Sequence, residues 1–372
     1  MAKPVYLYVT PFFPSPTRWR GSYCYDFVKA LIGTNAYQVE VFTSGDGADY
    51  VIDGLTVHTF KMLSMPSNIF PFLTQGVNSR RFLKAVRKAR VRLEDVAVCH
   101  GNSAEYSIYP LVIKRNNPLC KTLLHHHSLA SFGFSAGKMK DSRLYRFFQA
   151  PILRRYHRAI DIHVFISEVC HRYFVEDSGY DPLNYRILHN GVDETLFKKR
   201  VCGEKGNTFV IGTVANIQRA KGFETTARAL ARIGSEMSNW EWRIVGSGSE
   251  MAHLKALIAE PDIAEHVKFH AEVQHRDLVD FYHGIDLYVM PSYWEGFGCV
   301  YTESYACGVP FVACKTNNGI VDLAPDAWLI EKGDDARLSK LILSAYQGRF
   351  PILPLKGEWR IRPLVEDFVK GL

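Results

Sequence analysis

Short runs of β-branched and aromatic residues alternate with longer stretches of helical period along the whole chain. That pattern leaves few options. A strand followed by a helix returns parallel to its predecessor, so the sheet is parallel, buried on both faces and covered by helices. The strands predicted this way are Val5 to Val9, Gln38 to Thr43, Val96 to His100, Thr122 to His126 and Ile162 to Ile166 in the first half. In the second half they are Thr208 to Thr213, Trp242 to Val245, Val267 to His270, Leu287 to Met290 and Pro310 to Ala313. Between the halves, the polar stretch from Lys198 to Asn207 lacks apolar period and holds two glycines, the composition of a linker. With 372 residues there is chain enough for two cores, and two doubly wound α/β domains are expected.

Apolar residues at 47% and charged residues at 22% exclude a disordered chain. Nowhere does an uncharged apolar run approach the roughly 20 residues that cross a bilayer as a helix, so any membrane contact is peripheral. Charge is unevenly spread: residues 1–190 carry 24 bases against 14 acids, or +10, and residues 191–372 carry 21 against 24, or −3. A basic first half fits an anionic partner, whether nucleic acid, acidic headgroups or a phosphate-bearing substrate. The eight cysteines, at 24, 99, 120, 170, 202, 299, 307 and 314, show no paired short spacing and read as free thiols in a reducing compartment. Lys3 to Thr10 alternates as a strand does and has no signal-peptide pattern, so a cytoplasmic protein is expected, at most peripheral on the inner face of the cytoplasmic membrane.

Seven cations and no acid lie between Arg80 and Arg92, with Phe82, Val86, Ala89 and Leu93 recurring at helical spacing. Seven more accompany Leu144, Phe147, Phe148, Ile152 and Leu153 between Lys138 and Arg158, around Pro151. Two readings stand: surface helices packed on their own sheet, or basic amphipathic segments on a membrane, with Ile69-Phe70-Pro71-Phe72-Leu73 as a further stretch that could enter headgroups. On the second reading Arg80, Arg81, Lys84, Arg87 and Lys88 meet the acceptor or the anionic surface. Nucleic acid is not expected, because the aromatics do not interleave with the cations as a stacking platform does.

The most specific stretch runs Pro291-Ser292-Tyr293-Trp294-Glu295-Gly296-Phe297-Gly298-Cys299-Val300-Tyr301-Thr302-Glu303 and ends at Gly308-Val309-Pro310. It begins where a strand stops, turns on two glycines and enters a short helix, whose N-terminus at Gly298 and Cys299 is a seat for phosphate. Glu295 lies before that helix and Glu303 inside it. Two glutamates seven residues apart around Gly-Phe-Gly resemble the signature of the family 4 (group 1) retaining glycosyltransferases, which have the GT-B fold: two Rossmann-like domains facing across a cleft. The resemblance implies that Glu295 contacts the transferred sugar, that Glu303 holds the nucleotide ribose, and that Gly296, Phe297, Gly298, Cys299 and Val300 line the donor site.

A second match is Val214-Ala215-Asn216-Ile217-Gln218-Arg219-Ala220-Lys221-Gly222, where the family places an arginine and, five residues later, a lysine, both on the donor diphosphate. Lys221 fits; Asn216 stands at the arginine position, and whether Arg219 supplies the missing charge from the same loop stays open. The Gly246-Ser247-Gly248 turn lacks the third glycine of a nicotinamide fingerprint, Met251 standing there. It resembles the family's loop beneath the nucleotide, while Val273 lies where main chain pairs with the base. In the first half Gly21 alone remains of the family's glycine pair, preceded by Arg20, which faces the acceptor or the donor phosphates or is a solvated loop residue. His125-His126-His127 ends a strand, with His127 at the family's histidine and His126 one register step away. Successive strand residues face opposite ways, so the three do not converge on a metal.

The resemblance implies domains at 1–197 and 198–357, with a last helix in 358–372 crossing back to the first. It implies transfer of a sugar from a UDP- or GDP-linked donor, with retention, to a glycan or lipid-linked acceptor in polysaccharide, lipopolysaccharide or glycolipid biosynthesis. Lys221, Arg219 and the helix at Gly298 stabilise the leaving phosphate, so no cofactor and no metal are expected. Val321-Asp322 replaces the usual proline and glutamate in a loop that touches the sugar, which leaves the sugar open. The alternatives are a nucleotide-sugar epimerase of the same fold and a non-catalytic nucleotide-sugar-binding protein.

Overall fold

A computed structural model describes residues 3–16, 21–63, 71–129, 150–200, 206–259 and 263–372. It divides into two compact units, Met1–Asn190 with Ile361–Leu372, and Gly191–Arg360.

The first unit holds strands β1 (Val5–Thr10), β2 (Gln38–Ser44), β3 (Tyr50–Ile52), β4 (Leu55–Phe60), β5 (Val96–Asn102), β6 (Lys121–His126), β7 (Ile162–Phe165) and β8 (Tyr185–Ile187). They form one sheet in the order β3-β4-β2-β1-β5-β6-β7-β8, parallel except where β3 returns antiparallel on β4. That hairpin turns on Asp53 (φ 45°) and Gly54 (φ 78°), the left-handed pair that a two-residue turn requires. Strand order reverses between β1 and β5, which makes their carboxyl ends the place where this fold binds ligands. Runs such as VYLYVT in β1 and IHVF in β7 are buried throughout because helices cover both faces. On one face Tyr6, Tyr8, Phe27, Val28 and Leu31 share a core with Ile361, Val365 and Phe368 of the final helix, Ile361–Lys370. On the other, Phe82 and Val86 of helix Pro71–Lys88 pack with Phe42, Phe60, Tyr109 and Val112.

That packing decides between the two readings of the first basic helix: its apolar face lies on its own sheet. Arg81 donates to the Lys61 carbonyl at 3.0 Å, and Lys88 pairs with Asp49 at 3.2 Å. Arg80, Lys84 and Arg87 stay at least partly exposed. A membrane contact here would be electrostatic, without apolar insertion. Ile69 and Phe70 of the apolar stretch, and residues 138–149 of the second basic stretch, lie outside the described residues. Among the described residues no helix is long and apolar enough to cross a membrane.

The second unit holds β9 (Phe209–Val214), β10 (Trp240–Val245), β11 (Val267–His270), β12 (Leu287–Met290), β13 (Phe311–Cys314) and β14 (Leu329–Ile330). These form one sheet in the order β11-β10-β9-β12-β13-β14, parallel at every pairing. Its order reverses between β9 and β12, so the motif loops after Val214 and Met290 leave the sheet side by side.

The expected boundary after residue 197 is corrected to Asn190–Gly191. The Val192 amide donates to the Trp359 carbonyl at 2.9 Å. Phe197, 1% exposed, packs its ring against His275 and Tyr282 at 5.1 and 6.0 Å. These contacts tie residues 191–197 to the second unit. For the same reason residues 358–360 stay there, and only Ile361–Leu372 joins the first.

Candidate active site

Three loops at the carboxyl ends of β9, β10 and β12 interlock by close backbone approach. A Cβ on Gly246 would strike the Ala215 carbonyl oxygen and one on Gly248 that of Ile217. With glycine there, the Ala215 amide reaches Val245 O at 3.1 Å, Ile217 N reaches Ser247 O at 2.8 Å, and Glu250 N reaches Ile217 O at 3.1 Å. The loop then makes one 3-10 turn, Arg219–Lys221, and leaves it through Gly222 at φ 76°. Ala220 O accepts from Tyr293 N at 3.0 Å and from Ser292 Oγ at 3.0 Å. A Cβ on Gly222 would run into the Pro291 carbonyl. Gly222→Ala therefore combines a left-handed alanine, costing about 1–2 kcal/mol, with a backbone clash. A lower melting temperature and weaker nucleotide binding in the same variant are the expected outcome, read by thermal denaturation and titration.

This docking brings the Lys221 ammonium onto the Glu295 carboxylate as an ion pair, both side chains about four-fifths buried. Glu295 is itself held: its amide donates to Asn317 O at 2.9 Å and its carbonyl accepts from Gly319 N at 3.0 Å. Between those residues Asn318, fully buried, donates to Ser292 O and Tyr301 Oη at 3.1 Å each and accepts from Ile320 N at 3.2 Å. Nothing in the residue pattern marks Asn318 in advance; its role depends on partners from other segments.

Helix Cys299–Ala306 starts from Gly298 at φ 75°, where a Cβ would lie 2.6 Å from the Tyr301 ring. The positive end of its dipole sits at Cys299 and Val300, both partly exposed. The Phe297 side chain, 1% exposed, is core, so its backbone is the part that can face a ligand. Asn216, Arg219 and Val273 are exposed, and Gly296 is partly so.

Glu303, 4% exposed, accepts from His275 Nε2 on one oxygen at 2.9 Å and from Tyr282 Oη on the other at 2.8 Å. Burial, reinforced by the Glu303 charge, pushes the Tyr282 phenol well above its ordinary pKa, so it stays a donor. Each carboxylate oxygen keeps lone-pair capacity for a further donor. Neither His275 nor Tyr282 is identified by the residue pattern.

In the first unit His125 and His126 are buried, at 3% and 1% exposure, while His127 is partly exposed. His126 stacks among His163, Phe165 and Phe174; His127 lies on the other face, its ring 3.9 Å from His125 and 4.7 Å from Tyr23. Its Nε2 lies 2.8 Å from Asn102 Oδ1, which also accepts from Tyr8 Oη at 3.1 Å. Asn102 Nδ2 donates to Val9 O at 3.4 Å, so the amide oxygen faces both rings and the His127 proton belongs on Nε2. Burial drives the His127 imidazole down to about 3, keeping it neutral. Gly21 (φ 86°) opens helix Ser22–Gly33, and a Cβ there would lie 2.9 Å from Phe12 O. Arg20 lies outside the described residues. Among the described residues no three His, Cys, Asp or Glu side chains group as metal ligands.

A family model described as "Glycosyl transferases group 1" matches residues 194–355, and one described as "Glycosyltransferase Family 4" matches residues 21–196. Together they span about nine-tenths of the chain. A GDP-mannose-dependent monoacylated alpha-(1-6)-phosphatidylinositol monomannoside mannosyltransferase of Corynebacterium glutamicum is 26% identical over 209 residues, 51% of this chain and 54% of that protein. A D-inositol 3-phosphate glycosyltransferase of Corynebacterium jeikeium is 34% identical over 157 residues, 37% of this chain and 38% of the relative. The matched stretches thus span about half or less of these relatives' length. Among solved structures, the sucrose-phosphate synthase of Thermosynechococcus elongatus superposes with a TM-score of 0.72 at 17% identity, covering 99% of this chain and 94% of that one. Anabaena HepE in complex with UDP and glucose gives 0.70 at 16%, covering 99% of both. The shared fold is GT-B, two Rossmann-like parallel-sheet domains. With both halves matched and the glutamate motif intact at 295 and 303, the chain belongs to the family 4, group 1 glycosyltransferases.

Proposed function

We propose that this chain transfers a sugar from a nucleoside diphosphate donor to a hydroxyl of a glycan or lipid-linked acceptor, with retention of configuration. The observation that carries the reading is the Lys221–Glu295 pair beside the N-terminus of helix Cys299–Ala306, at the point where strand order reverses. A cation, a dipole end and a carboxylate meet where this fold binds ligands. In the proposal Lys221 turns to the diphosphate, Glu295 is released to a sugar hydroxyl, and Glu303 accepts the ribose diol. Arg219, exposed in the same turn, supplies the second cation that Asn216 does not. Charge growing on the leaving phosphate is then met by Lys221, Arg219 and the helix end, a preorganised electrostatic contribution, and the proposal assigns no role to a divalent ion. The bond from the sugar C1 to the donor phosphate oxygen breaks, a bond from C1 to the acceptor oxygen forms on the same face, and the departing nucleoside diphosphate takes the acceptor proton, without a covalent enzyme intermediate.

For the first unit we propose the acceptor role. His127 is the side chain there best equipped for chemistry: neutral, fixed in tautomer and partly open. The +10 charge of residues 1–190 favours a phosphate-bearing or membrane-borne acceptor in the cytoplasm or on the inner membrane face.

A thermal-shift panel of UDP, GDP and their sugars tests the donor site, because a ligand of the native state raises its melting temperature. One nucleotide family is expected to stabilise the protein, with or without EDTA. No shift with any nucleotide would overturn the reading, and an epimer formed from donor alone would favour the epimerase. The membrane component has its own test. Arg80→Glu, Lys84→Glu and Arg87→Glu together should abolish salt-sensitive binding to phosphatidylglycerol vesicles; unchanged binding would remove that component.

A further inference from the structure

Both oxygens of the Glu303 carboxylate are held by side chains from one short segment. His275 opens the 3-10 turn in the connection after β11, and Tyr282 lies on helix Leu278–His283, which follows directly. Tyr282 is fully buried and its hydroxyl bond of 2.8 Å is a fixed feature of the core. His275 differs: its side chain is 17% exposed, its ring packs against Phe197 at 5.1 Å, and it lies two residues beyond Val273. It therefore stands between the buried carboxylate and the solvent from which a nucleotide arrives.

We propose that His275 is a positioning residue for Glu303: its Nε2–H fixes the carboxylate plane for the ribose diol, and its protonation state tunes nucleotide affinity. The inference rests on the donor-site reading above. As neutral imidazole, His275 donates one hydrogen bond and leaves Glu303 its full negative charge to attract two hydroxyl hydrogens. As imidazolium it makes an ion pair with Glu303 that competes with those hydroxyls, and a nucleoside settling over it would have to desolvate the added charge. Binding thus favours the neutral ring, and by linkage affinity falls as His275 becomes protonated. Among the described residues the titratable and charged groups around the pair include Glu303 and Cys307 from helix Cys299–Ala306 and its end, Tyr282 from helix Leu278–His283, Tyr288 from β12, and Arg276 and Asp277, which pair with each other at 3.8 Å. Cys307 is pushed up to about 12 by burial and then by Glu303, and burial keeps the Tyr282 and Tyr288 phenols protonated. Glu303 and His275 are left as the partners whose charge balance sets the affinity.

The test is a calorimetric titration of UDP and GDP into wild type, His275→Gln and His275→Ala across pH 5.5 to 8.5. The His275→Gln side chain can donate to Glu303 without titrating, so the titration of the nucleotide phosphates cancels in the comparison with wild type. At pH 8 the Gln variant should bind within about twofold of wild type, and the Ala variant roughly 3- to 10-fold more weakly, the equivalent of one lost hydrogen bond. As pH is lowered from 8.5 to 5.5, wild-type affinity should fall relative to the Gln variant by a further factor of about 3 or more. In turnover assays the Ala change should raise the donor KM and leave kcat within about twofold. The His275 ring resonances, assigned by their absence in His275→Gln, should shift on adding UDP or GDP. Parallel pH profiles for wild type and the Gln variant, with no ring shift, would overturn the inference while leaving the donor site standing. Failure of wild type to bind any nucleotide would overturn the donor-site reading and the inference with it.

Discussion

Replacing Lys221 with Ala should lower kcat by about 10²- to 10³-fold, the loss typical of removing one preorganised group that faces developing charge. The structure has the Lys221 ammonium on Glu295, and the proposed chemistry requires both side chains to leave that pair, Lys221 for the phosphate and Glu295 for the sugar. The Ala variant removes the cation for the leaving group and also strands a carboxylate that is only 18% exposed. Glu295→Gln keeps the shape but leaves the Lys221 ammonium, 19% exposed, without its counter-charge, so Tm should fall along with turnover. Because the two act together, Lys221→Ala with Glu295→Gln should cost little more than the worse single change. Steady-state kinetics with donor saturating, beside a thermal melt of each variant, gives the answer. Fully multiplicative losses, or a Lys221→Ala enzyme keeping about a third of wild-type kcat, would remove Lys221 from the proposed chemistry.

What the residue pattern conveys depends on how local the cause is. The strands β1, β5, β7, β9 and β12 are made of short, largely buried apolar runs, and the expected spans agree with them to within two residues. The Gly turns were legible too, since glycine alone tolerates the approach of Ala215, Ile217 and Pro291 carbonyls to positions 246, 248 and 222. The β3–β4 hairpin is absent from the expected strands: it turns on Asp53-Gly54, but its short strands compete poorly against the longer periodic segments on either side. His275 and Asn318 could not be found that way. Each owes its role to a segment 28 and 26 residues away, respectively, and a histidine or asparagine in a polar connection carries no local mark of such a partner. The same applies to Phe197, which reads as the end of a first domain until its ring is seen against His275 and Tyr282.

The first unit should unfold cooperatively within about one to two pH units below 6.5, well before its carboxylates are protonated. Burial holds His100, His127 and His157 down to about 3 and His163 to about 4, and places His125 well below its ordinary value. All five are neutral in the folded chain. Above pH 6.5 the unfolded chain leaves them neutral as well, and they cost nothing. Below it the unfolded chain takes up a proton at each, which favours unfolding by up to about 1.4 kcal/mol per pH unit per histidine, until each ring's lowered folded value is reached. Five such groups approach about 7 kcal/mol per pH unit, against a total stability of about 5–15 kcal/mol for an ordinary domain. His58 opposes this. Its bonds to Glu40 and Asp49 raise its folded pKa, so its contribution is complete below the unfolded value and is lost as pH rises through the raised one. One such group does not offset five. Circular dichroism against pH should show a steep transition near about pH 5, with roughly three or more protons taken up on unfolding. His157→Phe, placed beside the Phe174 ring now 5.5 Å from His157, removes one of those protons and should move the midpoint to lower pH. A first unit still native below about pH 4, or a His157→Phe midpoint at or above that of wild type, would show that these rings are not held neutral by the fold.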